Sequence, residues 1–184
     1  MFIQTEQTPN PATLKFLPGR QVLPDGTADY RSKAEAASSP LAKRLFDIKN
    51  VTGVFFGADF VSVTKSEGEW RHLKPAILGA IMDYYGSGDA TDLIASSNHN
   101  VDENYDPEDA ELVATIKELL DTRVRPAVAQ DGGDITFQGY SDGIVYLSMR
   151  GACAGCPSST ATLHNGIENL IRHFCPMVRG VEAV

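Results

Sequence analysis

Cysteine is scarce in this sequence: three residues in 184, at positions 153, 156 and 175. So few cannot build a disulfide framework, and in a reducing compartment a Cys-x-x-Cys pair reads as a metal or redox site. Basic charge is also short. Lys and Arg number 16 against 24 Asp and Glu, for a formal net charge of −8, and no run of Lys and Arg forms a patch that would overcome repulsion from phosphates. Nucleic acid is therefore excluded as an expected partner. Long apolar runs are missing too. No stretch approaches the roughly 18 consecutive apolar residues of a membrane helix, and Met1 to Pro11 has neither the basic start nor the apolar core of a signal peptide. The expectation is no membrane, and a location in a bacterial cytoplasm or, for a matured organellar form, the mitochondrial matrix. What remains, 42% hydrophobic and 22% charged residues, suits a soluble protein with one or two modest cores.

Gly, Ser, Asn and Asp crowd the stretch GSGDATDLIASSNHNVDENYDP from Gly86 to Pro107, which reads as an exposed connection. It sets the expected organisation: a mixed domain at 1–87, a flexible linker at 88–105 and a second domain at 106–184. In the first domain the extended FIQTEQ is followed by a Pro-Asn-Pro break, ATLKFLPG and a short helix around Leu41 to Phe46. Val51 to Phe56 and Phe60 to Thr64 predict a hairpin across Gly57-Ala58-Asp59. Leu73, Ile77, Ile81 and Tyr84 recur at helical spacing after Trp70, with Pro75 acceptable if it lies in the first turn.

The second domain opens on Asp106-Pro107-Glu108-Asp109, a side-chain acceptor at the cap followed by proline and acidic groups at the positive helix end. Leu112, Val113, Ile116, Leu119, Leu120 and Val124 form its apolar stripe, and Asp131-Gly132-Gly133-Asp134 then forces a turn. Strands follow at Ile135 to Tyr140 and Ile144 to Met149. The loop GACAGCPSS leads to a helix with Leu163, Ile167, Leu170, Ile171 and Phe174 on one face, and a short strand at Val178 to Val184 ends the chain. The fold class is thus α+β: two small α/β domains, the second running α-β-β-α-β with its Cys-x-x-Cys loop before the last helix.

Cys153 and Cys156 are spaced so that both sulfurs reach one object. Pro157 suits a first helical position, which puts Cys156 at the cap, where the dipole favours a thiolate. Small residues at 151, 152, 154 and 155 leave room for a bulky inorganic group to approach the backbone. A structural zinc or an iron-sulfur cluster usually takes four protein ligands, and the loop offers two. Cys175 stands nineteen positions beyond Cys156, about 28 Å along a helix, too far to join the same site. Because two-fold homo-oligomers are the commonest, two chains sharing one cluster through four thiolates is the economical arrangement. A thiol-disulfide oxidoreductase site and a zinc-bridged interaction module remain open as alternatives.

Other polar residues read as structural. The 131–134 run is explained by a turn, and His72, His99, His164 and His173 are scattered without metal spacing. Arg150 directly precedes the loop and either offsets the charge of a thiolate-ligated cluster or is simply solvated.

RPAVAQDGGDITFQGY and VYLSMRGACAGCPSSTATLHNGIENLI resemble the C-terminal domain of the NifU-like (Nfu) iron-sulfur proteins. FIQTEQTPNPATLKFLPG with FDIKNVTGVFFGADFVSVTK resembles the N-terminal domain joined to it in mitochondrial and related bacterial Nfu proteins. The resemblance implies a non-enzymatic scaffold or carrier of a 4Fe-4S cluster held between two subunits. Cys153 and Cys156 match the family's ligand pair, and the implied partners are cluster assembly proteins and apo iron-sulfur clients. Cys175 matches no family motif, and no Arg-rich presequence is present.

Overall fold

The computed structural model describes residues 1–88, 103–155 and 157–184, with backbone alone for 157–160. The chain divides into two compact units, Met1–Asn98 and His99–Val184. Most of the expected linker, 89–102, lies outside the described residues.

The first unit is built on five strands: β1 (Gln4–Gln7), β2 (Thr13–Leu17), β3 (Ala28–Tyr30), β4 (Val51–Phe56) and β5 (Val61–Lys65). They form one antiparallel sheet in the order β1-β2-β5-β4-β3. The expected β4–β5 hairpin is present, but Phe60 stays in its turn, where its carbonyl accepts the Gly57 N–H at 3.0 Å. Helix α1 (Pro40–Phe46) starts on Ser39, whose hydroxyl accepts the Ala42 N–H at 3.2 Å. Helix α2 (Trp70–Gly86) buries Leu73, Ile77, Ile81 and Tyr84, the stripe seen in the sequence. With Phe16, Leu41, Leu45, Val54, Phe56, Val61 and Val63 these side chains make the core. Pro75 corrects the reading of this helix. It lies in the interior and not in the first turn, so the Arg71 carbonyl loses its i+4 donor while the rest of the apolar stripe holds the helix together.

In the second unit α3 (Ala110–Leu119) and α4 (Arg125–Gln130) are joined by a π-helical turn at Leu120–Val124. The expected helix therefore runs further than its stripe, to Gln130, and adds Val128 to the core. The π turn stands just ahead of Pro126, whose missing N–H breaks the regular ladder there. Asp106 does not cap with its side chain as expected; its backbone carbonyl accepts from Asp109 N at 2.9 Å and opens a 3₁₀ turn, Pro107–Asp109.

Strands β6 (Gly133–Ser141) and β7 (Ile144–Gly151) form an antiparallel hairpin on a two-residue turn, Asp142 and Gly143, both at positive φ. A bulge at Gln138 leaves the β6 edge free to take Asn104: its N–H donates to the Gln138 carbonyl and its carbonyl accepts from Tyr140 N. Asn104 and Tyr105, expected at the end of the linker, thus belong to this unit, with the Tyr105 ring edge-on to Phe137 at 6.2 Å. Helix α5 (Pro157–Phe174) carries the chain from β7 to β8 (Gly180–Ala183), which pairs with β7 in parallel. The α-β-β-α-β order is as expected, and the cysteine loop is the first connection of a β-α-β crossover. Ile167 and Ile171 are buried, but Phe174 is not. It is 46% exposed, with the Arg123 guanidinium 5.2 Å from its ring centre, while its neighbour Cys175 turns inward.

Candidate functional site

The loop between β7 and α5 begins at Gly151, with φ of 63°, and passes Gly155, with φ of 73°. Only residues tolerant of the left-handed region make both bends cheaply, which is why glycine stands at each. Pro157 is the first residue of α5, as its fixed φ predicts. Two of the loop's N–H groups are already committed: Ala152 donates to the Gly132 carbonyl and Ala154 to the Gly151 carbonyl, each at 3.1 Å. The sequence reading left these amides open to an incoming cluster. The structure spends the first on holding the loop to the α4–β6 turn and the second on closing a turn within the loop itself.

Cys153 is only 6% exposed and packs in the apolar core of its unit. Its sulfur rests on Gly133. A Cβ at position 133 would stand 2.7 Å from Cys153 Sγ and from the Arg150 carbonyl oxygen, and 3.0 Å from Cys153 N. The second glycine of the 131–134 run is therefore the floor on which the cysteine loop sits, and the run is not a simple turn. Gly132, at φ of 80°, makes the turn; Gly133 and Asp134 open β6.

Asp134 was legible only as a turn residue. Its side chain is 4% exposed and is gripped by Arg125, Nε to Oδ1 at 2.8 Å and Nη2 to Oδ2 at 3.0 Å. Oδ1 also accepts the Ile135 N–H at 2.9 Å, and Arg125 Nη1 reaches Asp121 at 3.0 Å. The bonds to Asp134 raise the Arg125 pKa above its already high value against the cost of burial, so the cation is permanent. This clasp ties α4 to the start of β6 beneath the cysteine loop, and Asp134 faces Arg150 of β7 in register. No sequence spacing announces it, because Arg125 and Asp134 meet only once α4 has turned into β6.

Cys156 lies outside the described residues. Cys175 is buried in the same core as Cys153, with α5, eighteen residues or about 27 Å long, running between its position and the loop. Burial pushes its thiol pKa up, which keeps it a neutral packing group. Among the described residues no group of three or more His, Cys, Asp and Glu converges as a metal site. A thiol in a small-residue loop, with a second cysteine three positions on, could supply half the ligands of a soft-metal or cluster site.

The architecture is that of a two-domain protein whose second domain presents a short cysteine loop between a strand and a helix. Residues 3–88 match the family model "Scaffold protein Nfu/NifU N terminal", and residues 116–182 match "NifU-like domain". The whole chain is 51% identical over 186 residues to the NFU1 iron-sulfur cluster scaffold homolog, mitochondrial, of Drosophila ananassae, and covers 64% of that protein. It is 50% identical over 186 residues to the human protein of that name, covering 72% of it. Against NifU-like protein 4, mitochondrial, of Arabidopsis thaliana the identity is 51% over 185 residues, 99% of this chain and 65% of that one. The chain belongs to the Nfu/NifU scaffold-protein family. It spans somewhat under two thirds of the length of the fly and plant relatives.

Proposed function

We propose that this protein is an iron-sulfur cluster scaffold and carrier. It binds a 4Fe-4S cluster between two subunits through Cys153 and Cys156 of each, and passes it to apo-proteins without catalysing a reaction of its own. The observation that carries the reading is the loop itself: a Cys-x-x-Cys segment bent by glycines at 151 and 155, in a chain that aligns over its full length with proteins named as iron-sulfur scaffolds. The relatives' names, which carry the word mitochondrial, also favour the organellar setting over the bacterial cytoplasm.

The cluster is cargo, and the chain's residues serve its loading and release. With Cys153 packed against Gly133, loading requires the loop to turn that sulfur outward; Gly151 and Gly155 are the positions that absorb the change in backbone angles. Arg125 and Asp134 keep the base of the loop fixed meanwhile. Splitting four thiolates between two chains makes retention depend on protomer concentration, so the cluster is held less firmly than by four ligands of one chain. A client's cysteines then replace the carrier's one at a time. The domain at 1–87 and the connection that ends before Asn104 serve docking and tethering in this scheme, since they contain no cysteine.

Anaerobic reconstitution with iron and sulfide, followed by metal, sulfide and visible absorption on one sample, tests the reading. Broad visible absorption with matched iron and sulfide supports it. A colourless protein retaining zinc would replace it with the zinc-bridged module, and metal-free turnover of disulfide substrates with the oxidoreductase.

A further inference from the structure

We infer that the N-terminal unit carries a docking pocket for an extended acidic segment of another protein. The pocket, about 530 Å³, lies between the β1–β2 hairpin and the first turns of α2 and is lined by Thr5, Gln7, Asn10, Trp70, Arg71 and Lys74 among others. Its size is that of a ligand-binding cleft. None of its lining residues is acidic and two are cationic, in a chain of net charge −8. Arg71 pairs with Glu69, while Lys74 has no carboxylate partner among the described residues.

The walls are built in advance. The Trp70 indole N–H donates to the Pro11 carbonyl at 3.0 Å, and Lys65 lies 5.5 Å from the ring centre on the tryptophan. The Thr8–Ala12 turn is fixed by its own side chains. The Thr8 hydroxyl is 2.8 Å from both the Asn10 and Thr13 carbonyls, and Asn10 Oδ1 accepts the Ala12 N–H at 3.0 Å. A rigid pocket of this kind loses little conformational entropy on binding.

The occupant is a peptide because of where the pocket opens. Strand β1 is the end strand of the sheet, with no further strand paired to it among the described residues. Thr5 and Gln7 of that strand line the pocket. An extended segment laid along β1 gains backbone hydrogen bonds from the open edge and sends every second side chain toward the pocket, where carboxylates meet Lys74 and Arg71. This inference does not depend on the cluster, and its test uses apo-protein.

A fluorescein-labelled, end-blocked octapeptide alternating glutamate and threonine is titrated into the full-length chain, reading anisotropy and the emission of Trp70, the sole tryptophan. Its lysine-for-glutamate counterpart is the control. The acidic peptide is expected to bind and to shift Trp70 emission. Lys74→Glu should weaken binding by about tenfold or more, and added salt should weaken it further. Lys74→Glu should leave iron loading unchanged, so failure here is separable from failure of the carrier reading. The inference is overturned by no binding up to ~1 mM, by equal binding of the two peptides, or by an unaltered affinity in a folded Lys74→Glu variant. Equal competition by acetate or inorganic phosphate also overturns it, because the pocket would then be a small-anion site.

Discussion

Replacing Gly133 by alanine asks whether the cysteine loop is held by close packing on β6. Gly133 is in a strand and not at positive φ, so alanine meets no backbone strain and would by itself stabilise the chain by about 0.4–1 kcal/mol through the unfolded state. Against this, the new methyl would press on three atoms at 2.7–3.0 Å, and two of them, the Arg150 carbonyl oxygen and Cys153 N, are backbone and cannot rotate away. Overpacking of this kind costs about 1–3 kcal/mol, and immobile neighbours put it at the upper end. The net expectation is a loss of about 2 kcal/mol. With a urea dependence of about 1–1.5 kcal/mol per molar for a unit of this size, the C-terminal midpoint falls by roughly 1–2 M. Far-UV circular dichroism sees both units, whereas Trp70 fluorescence reports the N-terminal one and should keep its midpoint. Adding Cys153→Ala removes one of the three clashes and should recover part of the loss. An unchanged or higher C-terminal midpoint in Gly133→Ala would refute the packing argument.

Substituting Cys153 or Cys156 by serine should abolish cluster loading. Cys175→Ala should load normally at a stability cost of about 1 kcal/mol, because that thiol is a buried packing group; iron and sulfide counts on each variant decide. Arg125→Leu leaves the Asp134 carboxylate buried without its cation and should cost about 3 kcal/mol, the low end for such pairs because Arg125 itself is 36% exposed, as read by urea midpoint at neutral pH. Burial, aided by Tyr84 and opposed by Arg20, pushes the Tyr85 pKa up to about 12. The folded state then holds a proton that the unfolded chain has lost, so stability falls as pH rises from about 10 toward 12, and Tyr85→Phe should remove that part of the alkaline sensitivity. A fragment from Asp102 to Val184 should still bind a cluster as a dimer but deliver it more slowly to its client, with little change toward a chelator.

Much of the fold was legible because periodicity and turn chemistry agree with tertiary packing here. The stripe Leu73, Ile77, Ile81, Tyr84 gave α2, and the Ser141-Asp142-Gly143 break between two strand-like runs marked the β6–β7 connection, although Ser141 itself belongs to β6. Pro75 misled because helix interiors bear a proline when enough apolar contact compensates, and Phe174 because a helical stripe does not say where the core ends. The cysteine pair was visible as a spacing. The inward packing of Cys153 on Gly133 and the Arg125–Asp134 clasp below it were not, since both arise from contacts between elements that meet only in the folded unit.

Native mass measurement of the anaerobically reconstituted protein, with iron and sulfide counted on the same sample, tests shared ligation most directly. The account predicts that cluster-loaded material is a dimer with four irons and four sulfides per two chains, returning toward monomer when the cluster is removed. A loaded monomer holding four irons without an external thiol, or a tight dimer indifferent to the cluster, would contradict it.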